Sequence, residues 1–462
     1  GGEQIMKQVK RIETNYKEQR YWQETAIEAA ECTDCMNLVQ LFPQIREQTM
    51  EGFGGAFTES SAVNYHRLGK EQKKELIEAY FGDKGLRYHL GRVSINSCDF
   101  ALGNYTYVEE DDATLHSFSI AHDRQQIIPM IQAAMERTGG KMHFLASPWS
   151  PPAYMKTNGE MNHGGKLKEE VRELWAQYFV KFIREYREAG VPITAVTVQN
   201  EPAAVQTWNS CTYSAEEEGL FVAKHLGPAL ERAGMKDVDI YVWDHNKELL
   251  YQRFRDAVSV PGADRYIAGA AMHWYTGDHF DAIEILRKQY PGIKLMFSEG
   301  CVEYSRFADS GEVRKAEMYA HDMIGNFRAG VSTFLDWNLL LDEQGGPNHV
   351  GNFCAAPVML EPEEQDGYVK KLMYYYIGQF SRYIPAESVR IATTQYTDGL
   401  EVCAFLTPSA ERVLVVLNKS EENRPVVIRE EEEGFHDEIA AHSIVTYVMQ
   451  DVAIKQTPVI KK

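Results

Sequence analysis

The stretch ITAVTVQNEPAA, residues 193–204, decides the fold. Ile193, Ala195, Val196 and Val198 make it apolar, and then Gln199, Asn200 and Glu201 arrive together just before Pro202. A strand buried on both faces of a parallel sheet is a continuous apolar run of this kind. A proline cannot donate to the ladder that would carry the strand further. The amide and carboxylate groups are therefore expected at the strand's mouth, neither inside the sheet nor out in a long loop.

The same construction recurs. Short apolar runs with polar or aromatic tails stand at 52–59 (GFGGAFTE), 89–100 (HLGRVSINSCDF), 142–150 (MHFLASPWS), 194–202, 239–246 (DIYVWDHN), 267–275 (IAGAAMHWY), 294–301 (KLMFSEGC) and 332–340 (STFLDWNLL). Between them lie stretches of helical period such as KEQKKELIEAYF, RQQIIPMIQAAMERTGG, EEVRELWAQYFVKFIREYREAG, EEGLFVAKHLGPALERAG, DAIEILRKQY and EVRKAEMYAHDMIGNFRAG, several ending on glycine as helices do. Strand and helix alternating eight times predict an α/β fold, a (β/α)8 TIM barrel, whose active site lies at the C-terminal ends of the strands. Those ends collect Asp99, Trp149, Asn200, Glu201, Asp244, His273, Trp274, Tyr275, Glu299, Asp336, Trp337 and Asn338.

The flanks differ. From about residue 384 the chain reads as short strands and turns, with Asp398-Gly399 as a hairpin signal, and strand alternation also marks IETNYKEQRYWQETAIEAA near the start. Both termini are expected to meet in one β-sandwich, giving residues 1–48 as N-terminal strands of the sandwich, 49–380 as the barrel and 381–462 as the rest of the sandwich. The acidic run REEEEGFHDE, 429–438, reads as a solvated loop.

Composition narrows the partners. The net charge of −19 sets no basic stripe against a polyanion, so no nucleic acid is expected. No apolar run is long enough to span a membrane. GGEQIMKQVKRIETNYKEQRYW lacks the apolar core of a secretory signal and its leading glycines read as a cloning remnant, which makes the cytoplasm the default compartment, with secretion the alternative if a leader was cleaved. Seven scattered cysteines argue against a disulfide framework, and Cys32 and Cys35 without a second ligand pair read as ordinary thiols rather than a zinc site.

Two carboxylates can divide proton transfer and nucleophilic attack between them. Glu201 and Glu299 form the best pair: Pro202 ends one strand and Gly300 the other, leaving both side chains at the rim. The rings of Trp149, Tyr154, Trp208, Trp274, Tyr275 and Trp337 suit the apolar C–H faces of sugars. A metal site at Asp244, His245, His273 and His279 is the competing enzymatic reading, but no ligand cluster stands at a single strand tip, so no metal and no cofactor are expected. GFGGAF precedes no Lys-Ser/Thr and is weak evidence for a nucleotide.

At these residues the chain resembles glycoside hydrolase family 30, in its glucocerebrosidase (glucosylceramidase) branch. The likeness runs from GFGGAFTESSA to VLVVLNKS and takes in RVSINSCDFALGNYTY, LASPWSPPAYMKTNG, AVTVQNEP, FSEGC and DWNLLLDEQGGPN. It implies a barrel joined to a sandwich and a retaining mechanism, with Glu201 as acid/base and Glu299 as nucleophile. It further implies that Asn200 bonds the sugar 2-hydroxyl, that Asp99 and Trp149 bind the far hydroxyls, that Trp337 flanks the ring, that Tyr275 holds the nucleophile, and that His273 and Asn352 are pocket residues. The departures are His349 in GPNHVGNF, where the branch has tryptophan, and the loop AAVQTWNSC; both border the leaving-group side and shift the expectation from a ceramide lipid towards β-glucosides in general. A β-xylosidase or β-1,6-glucanase is the alternative within the family, and a non-catalytic carbohydrate-binding barrel the alternative outside it.

Overall fold

A computed structural model describes residues 5–453; the leading glycines lie outside them. All eight expected strands form, as Gly52–Ala56, Leu90–Ile95, His143–Pro148, Ile193–Thr197, Asp239–Asn246, Ile267–His273, Lys294–Glu299 and Thr333–Asn338. They close into a parallel barrel, the eighth strand pairing with the first through Thr333↔Gly52 and Phe334↔Phe53. Leu145, Ala195, Tyr241, Ala271, Met296 and Leu335, contributed by six strands, pack together in its core. The glycines of the first strand serve close packing: a Cβ on Gly54 would stand 1.9 Å from the Leu90 carbonyl oxygen.

The expected helices form as well, for example Lys70–Phe81 and Arg172–Glu188, the latter burying Trp175, Phe179, Phe182 and Tyr186 on one face. The stretch 217–234 is not one regular helix. It runs as Ala215–Phe221, a wide π turn Val222–Leu226, and Gly227–Arg232. Pro228 has no N–H to return to the preceding turn, and the ladder widens to accommodate it.

Two of the strand ends depart from regular backbone. Trp243 and Asp244 both have positive φ (77° and 51°), and the pairing with the sixth strand slips there. Glu201 also lies at φ 48°. Left-handed backbone at non-glycine residues is costly and concentrates at functional sites.

The chain divides into two compact units: Gly52–Ser310 with Ala329–Lys371, and Gly1–Glu51 with Gly311–Arg328 and Leu372–Lys462. The second holds ten strands in one hydrogen-bonded order: Arg20–Glu28, Ile5–Asn15, Ser443–Ala453, Arg412–Asn418, Glu401–Leu406, Val389–Thr393, Leu38–Thr49, Arg424–Glu430, Glu433–Ile439 and Ala30–Glu31. The sheet folds over on itself, since Arg11 Nε donates to Asp437 Oδ2 at 2.6 Å across eight strands of that order, and Val9, Leu414, Val426, Phe435 and Tyr447 share the enclosed core. Where the sequence suggested a barrel to residue 380, helix Leu372–Ser381 groups with the sandwich, because Gln379 Nε2 donates to the Ile12 carbonyl (3.0 Å) and Thr446 Oγ1 (2.8 Å). The acidic run is not a loop. It is a hairpin turning at Glu431–Glu432: Ile428, Phe435 and Ile439 point into the core, and Glu430 bonds Arg412 Nε at 2.8 Å. Cys32 is buried and Cys35 exposed, both as free thiols.

Candidate active site

The floor of the barrel mouth is built around a charge that the sequence reading passed over. Arg92, in the middle of the second strand, is fully buried. Its guanidinium donates to Ser147 Oγ (3.3 Å), Glu299 Oε1 (3.0 Å), Asn200 Oδ1 (3.1 Å) and Asp244 Oδ2 (2.8 Å), linking four strands and the segment that follows Ile193–Thr197. It also lies 4.7 Å from the Trp149 ring. A buried cation survives only when its donors are satisfied this fully. Asp244, its main counter-ion, takes further bonds from Thr197 Oγ1 (2.7 Å), Ser298 Oγ (2.6 Å) and His273 Nε2 (2.7 Å). Burial works against its charge, but Arg92 and His273 outweigh it and hold the carboxyl well below the usual range.

His273 sits between the acids. Nδ1 lies 2.9 Å from Glu201 Oε2 and 3.8 Å from Glu299 Oε2. Burial would lower its pKa, but Glu299, Asp244 and Glu201 raise it to about 10, so the ring is an imidazolium donating from both nitrogens. Ligand atoms of Glu201, His273 and Glu299 lie within 4.8 Å of one another, a spacing a cation could use. As an imidazolium, the ring has no lone pair on Nδ1 to offer a metal.

The two glutamates are therefore close and differently served. Glu299 is held by Arg92 and by Tyr275 Oη, which donates to Oε2 at 2.6 Å; Glu201 accepts from His273 alone, with His245 Nε2 at 3.9 Å. In the free site burial raises Glu299 against the pull of His273 and Arg92, whereas for Glu201 burial is outweighed by His245 and His273, which lower it. Carboxyls this close influence each other's titration.

Around them is a cavity of about 230 Å³, which suits one sugar ring. On one side Trp149 and Trp337 stack with centroids 5.2 Å apart, and Asp99 Oδ2 accepts from Asn348 Nδ2 (3.0 Å) and Asn352 Nδ2 (3.2 Å). Burial lifts Asp99 to about 6 despite those two bonds.

Of the residues singled out from sequence, Asp99, Trp149, Asn200, Glu201, Tyr275, Glu299, Trp337 and Asn352 all line this cavity, as does Trp208. His273 does not. The pairing shift at the end of its strand turns the ring beneath the carboxylates, where both nitrogens are taken, so it acts through Glu201 and Asp244 and not on the sugar. Trp274 donates to the Cys301 carbonyl and Tyr154 to that of Asp112, away from the cup, and His279 is exposed at the head of helix Phe280–Gln289. Reasoning from sequence missed Arg92 and Asn348. Arg92 was detectable as a lone cation inside an apolar strand; Asn348 reaches Asp99 only through loop folding.

A closed parallel barrel with two carboxylates, an aromatic wall and fixed donors at its C-terminal mouth defines a carbohydrate-processing hydrolase. The comparisons give the family: residues 50–384 match the glycosyl hydrolase family 30 TIM-barrel domain and 387–447 the family 30 beta sandwich domain, and the chain belongs to that family. It is 34% identical to mouse lysosomal acid glucosylceramidase over 89% of this chain and 83% of that one. Among solved structures it resembles SrfJ from Salmonella typhimurium (39% identity, 96% and 99% of the two chains, TM-score 0.92) and an endo-β1,6-glucanase (27% identity, 95% and 99%, TM-score 0.85).

Proposed function

We propose that this glycoside hydrolase removes terminal β-D-glucosyl units by double displacement with net retention. The observation that carries the reading is the approach of Glu201 and Glu299, with oxygens within 4.8 Å, while Arg92 and Tyr275 hydrogen-bond to Glu299 and not to Glu201. Retaining enzymes hold their carboxyls about 5–5.5 Å apart, whereas inverting ones leave room for a water at about 6.5–9.5 Å.

Glu299, ionised, attacks the anomeric carbon while Glu201 gives its proton to the departing oxygen. Glu201, now a base, takes a proton from the water that releases the sugar. Asn200, fixed by Arg92, faces the 2-hydroxyl; Asp99 and Trp149 take the far hydroxyls, Trp337 flanks the ring, and Asn352 orients Asp99. Gln206, Trp208, Glu303 and Ser305 line the cavity from the loops that follow Glu201 and Glu299. These groups favour a sugar or another polar aglycone over a ceramide. A β-1,6-linked glucan is the second reading, because the likeness to the endo-β1,6-glucanase spans 95% of the chain.

The test is hydrolysis of para-nitrophenyl β-glucoside, xyloside, fucoside and galactoside by the wild type and by Glu299→Gln, with and without chelator. Glucoside cleavage that disappears in the variant, ignores chelator and releases the β-anomer first is expected. Cleavage of gentio-oligosaccharides without aryl glucosides would move the substrate to β-1,6-glucan, and an α-anomer as first product would refute retention.

A further inference from the structure

Two thiols in the same cavity have no part in this chemistry. Cys301 follows the nucleophile by two residues; Cys354 lies on the short strand Cys354–Ala355, which pairs antiparallel with Val302–Glu303 through Glu303↔Cys354. Both are buried free cysteines and both line the cavity. Both belong to one buried cluster with Trp149 and Trp337. Cys301 Sγ also lies 3.4 Å from Tyr275 Oη, and Asn338 Nδ2 stands 3.9 Å from Cys354 Sγ.

The register makes Cys301 diagonal to Cys354, not opposite it. Diagonal neighbours have Cβ atoms up to about 7–8 Å apart, beyond the roughly 3.5–4.5 Å that a disulfide requires. A cation bound by two thiolates at about 2.3 Å each bridges a wider gap between the strands. The surroundings favour positive charge, since the carboxyls of Asp99 and Glu299 line the same cavity as the two thiols. We propose that Cys301 and Cys354 form a capture site for a soft, thiophilic divalent cation, and that its occupation silences hydrolysis by drawing Cys301 away from Tyr275 and so disturbing the hydroxyl that serves Glu299.

Binding exchanges two thiol protons for the metal. Affinity therefore rises with pH, since the ligands bind as thiolates. The cation part of the proposal stands on the cysteine geometry alone; the inhibition rests on the glycosidase reading.

The experiment titrates the reduced full-length protein with Cd²⁺, following thiolate-to-cadmium ultraviolet absorption, proton release and aryl β-glucoside hydrolysis, for the wild type, Cys354→Ala, Cys354→Ser and Cys35→Ala. One absorbing equivalent is expected in the wild type and in Cys35→Ala, with two protons released and activity restored by chelator. Both Cys354 variants should lose the absorption and at least about tenfold of the cadmium sensitivity. Should one of them fail to fold, the other carries the comparison. Unchanged absorption in a folded Cys354 variant, or its loss in Cys35→Ala, overturns the site. Inhibition that persists in the Cys354 variants and is reproduced by Mg²⁺ overturns it in favour of the Glu201–His273–Glu299 cluster. The absorption arm reads out even if no glycoside is cleaved, so failure of the site and failure of the glycosidase reading are distinguishable.

Discussion

Replacing Tyr275 with phenylalanine removes one oxygen and keeps the ring in the cavity wall. That oxygen donates to Glu299 Oε2 at 2.6 Å, a short bond to a buried carboxylate. A hydrogen bond to a charged group contributes about 1.5–3 kcal/mol net. At about 1.4 kcal/mol per pKa unit, its loss raises Glu299 by roughly 1–2 units. In the proposed mechanism Glu299 must be ionised to attack, and a raised pKa means the anion is lost at a higher pH as the solution is acidified. The acid limb of kcat/KM should therefore move up by roughly 1–2 units, costing about 10–100-fold at a fixed pH on that limb and much less on the plateau, because Arg92 still holds Oε1 at 3.0 Å. The assay is the pH profile of kcat/KM on an aryl β-glucoside for wild type and Tyr275→Phe. A uniform loss with the limb in place would refute the reasoning and put the hydroxyl on the sugar instead.

Glu201→Ala should lose roughly 10²–10⁴ in rate on glycosides with poor leaving groups and far less on activated aryl glycosides; azide should restore turnover and yield the β-glycosyl azide, which mass spectrometry and NMR would identify. Arg92→Met strands the buried Asp244 and Glu299 charges and should cost about 3–5 kcal/mol in denaturant unfolding; a loss below about 1 kcal/mol would mean that the acids are neutral in the folded state. In Gly300→Ala the new Cβ would meet Phe297 Cζ at 2.5 Å, so the turn that aims Glu299 should shift and kcat fall with little change in circular dichroism. Trp149→Ala should raise KM by removing half of the stacked Trp149–Trp337 wall, measurable on the same glucoside.

The eight strands were legible because apolar residues dominate each and polar groups gather at its tail, a pattern that parallel sheets impose, Arg92 in the second strand being the exception. Helices Glu59–Arg67 and Leu250–Val258 were not foreseen. The first begins in TESSA, where polar residues form the buried face, and the second interleaves Arg253 and Arg255 with its apolar positions. In the site, a strand-end position identified Glu201 and Glu299 but could not say whether His273 looks into the cup or under it. That depends on the left-handed backbone at Trp243 and Asp244 and on the pairing slip beside them, which no local pattern in DIYVWDHN announces.

The cluster of Arg92, Asp244, His273 and the two glutamates has a consequence for the whole reaction cycle. In the proposed mechanism, with one proton on Glu201, the two cations balance Asp244 and Glu299, and the buried group is electrically neutral. When Glu299 becomes an ester its charge vanishes, and at the same moment Glu201 becomes an anion. The sum stays at zero through glycosylation and release. No net charge has to enter or leave a region where solvent cannot screen it, so each step moves charge by only a few ångströms within a fixed frame of donors.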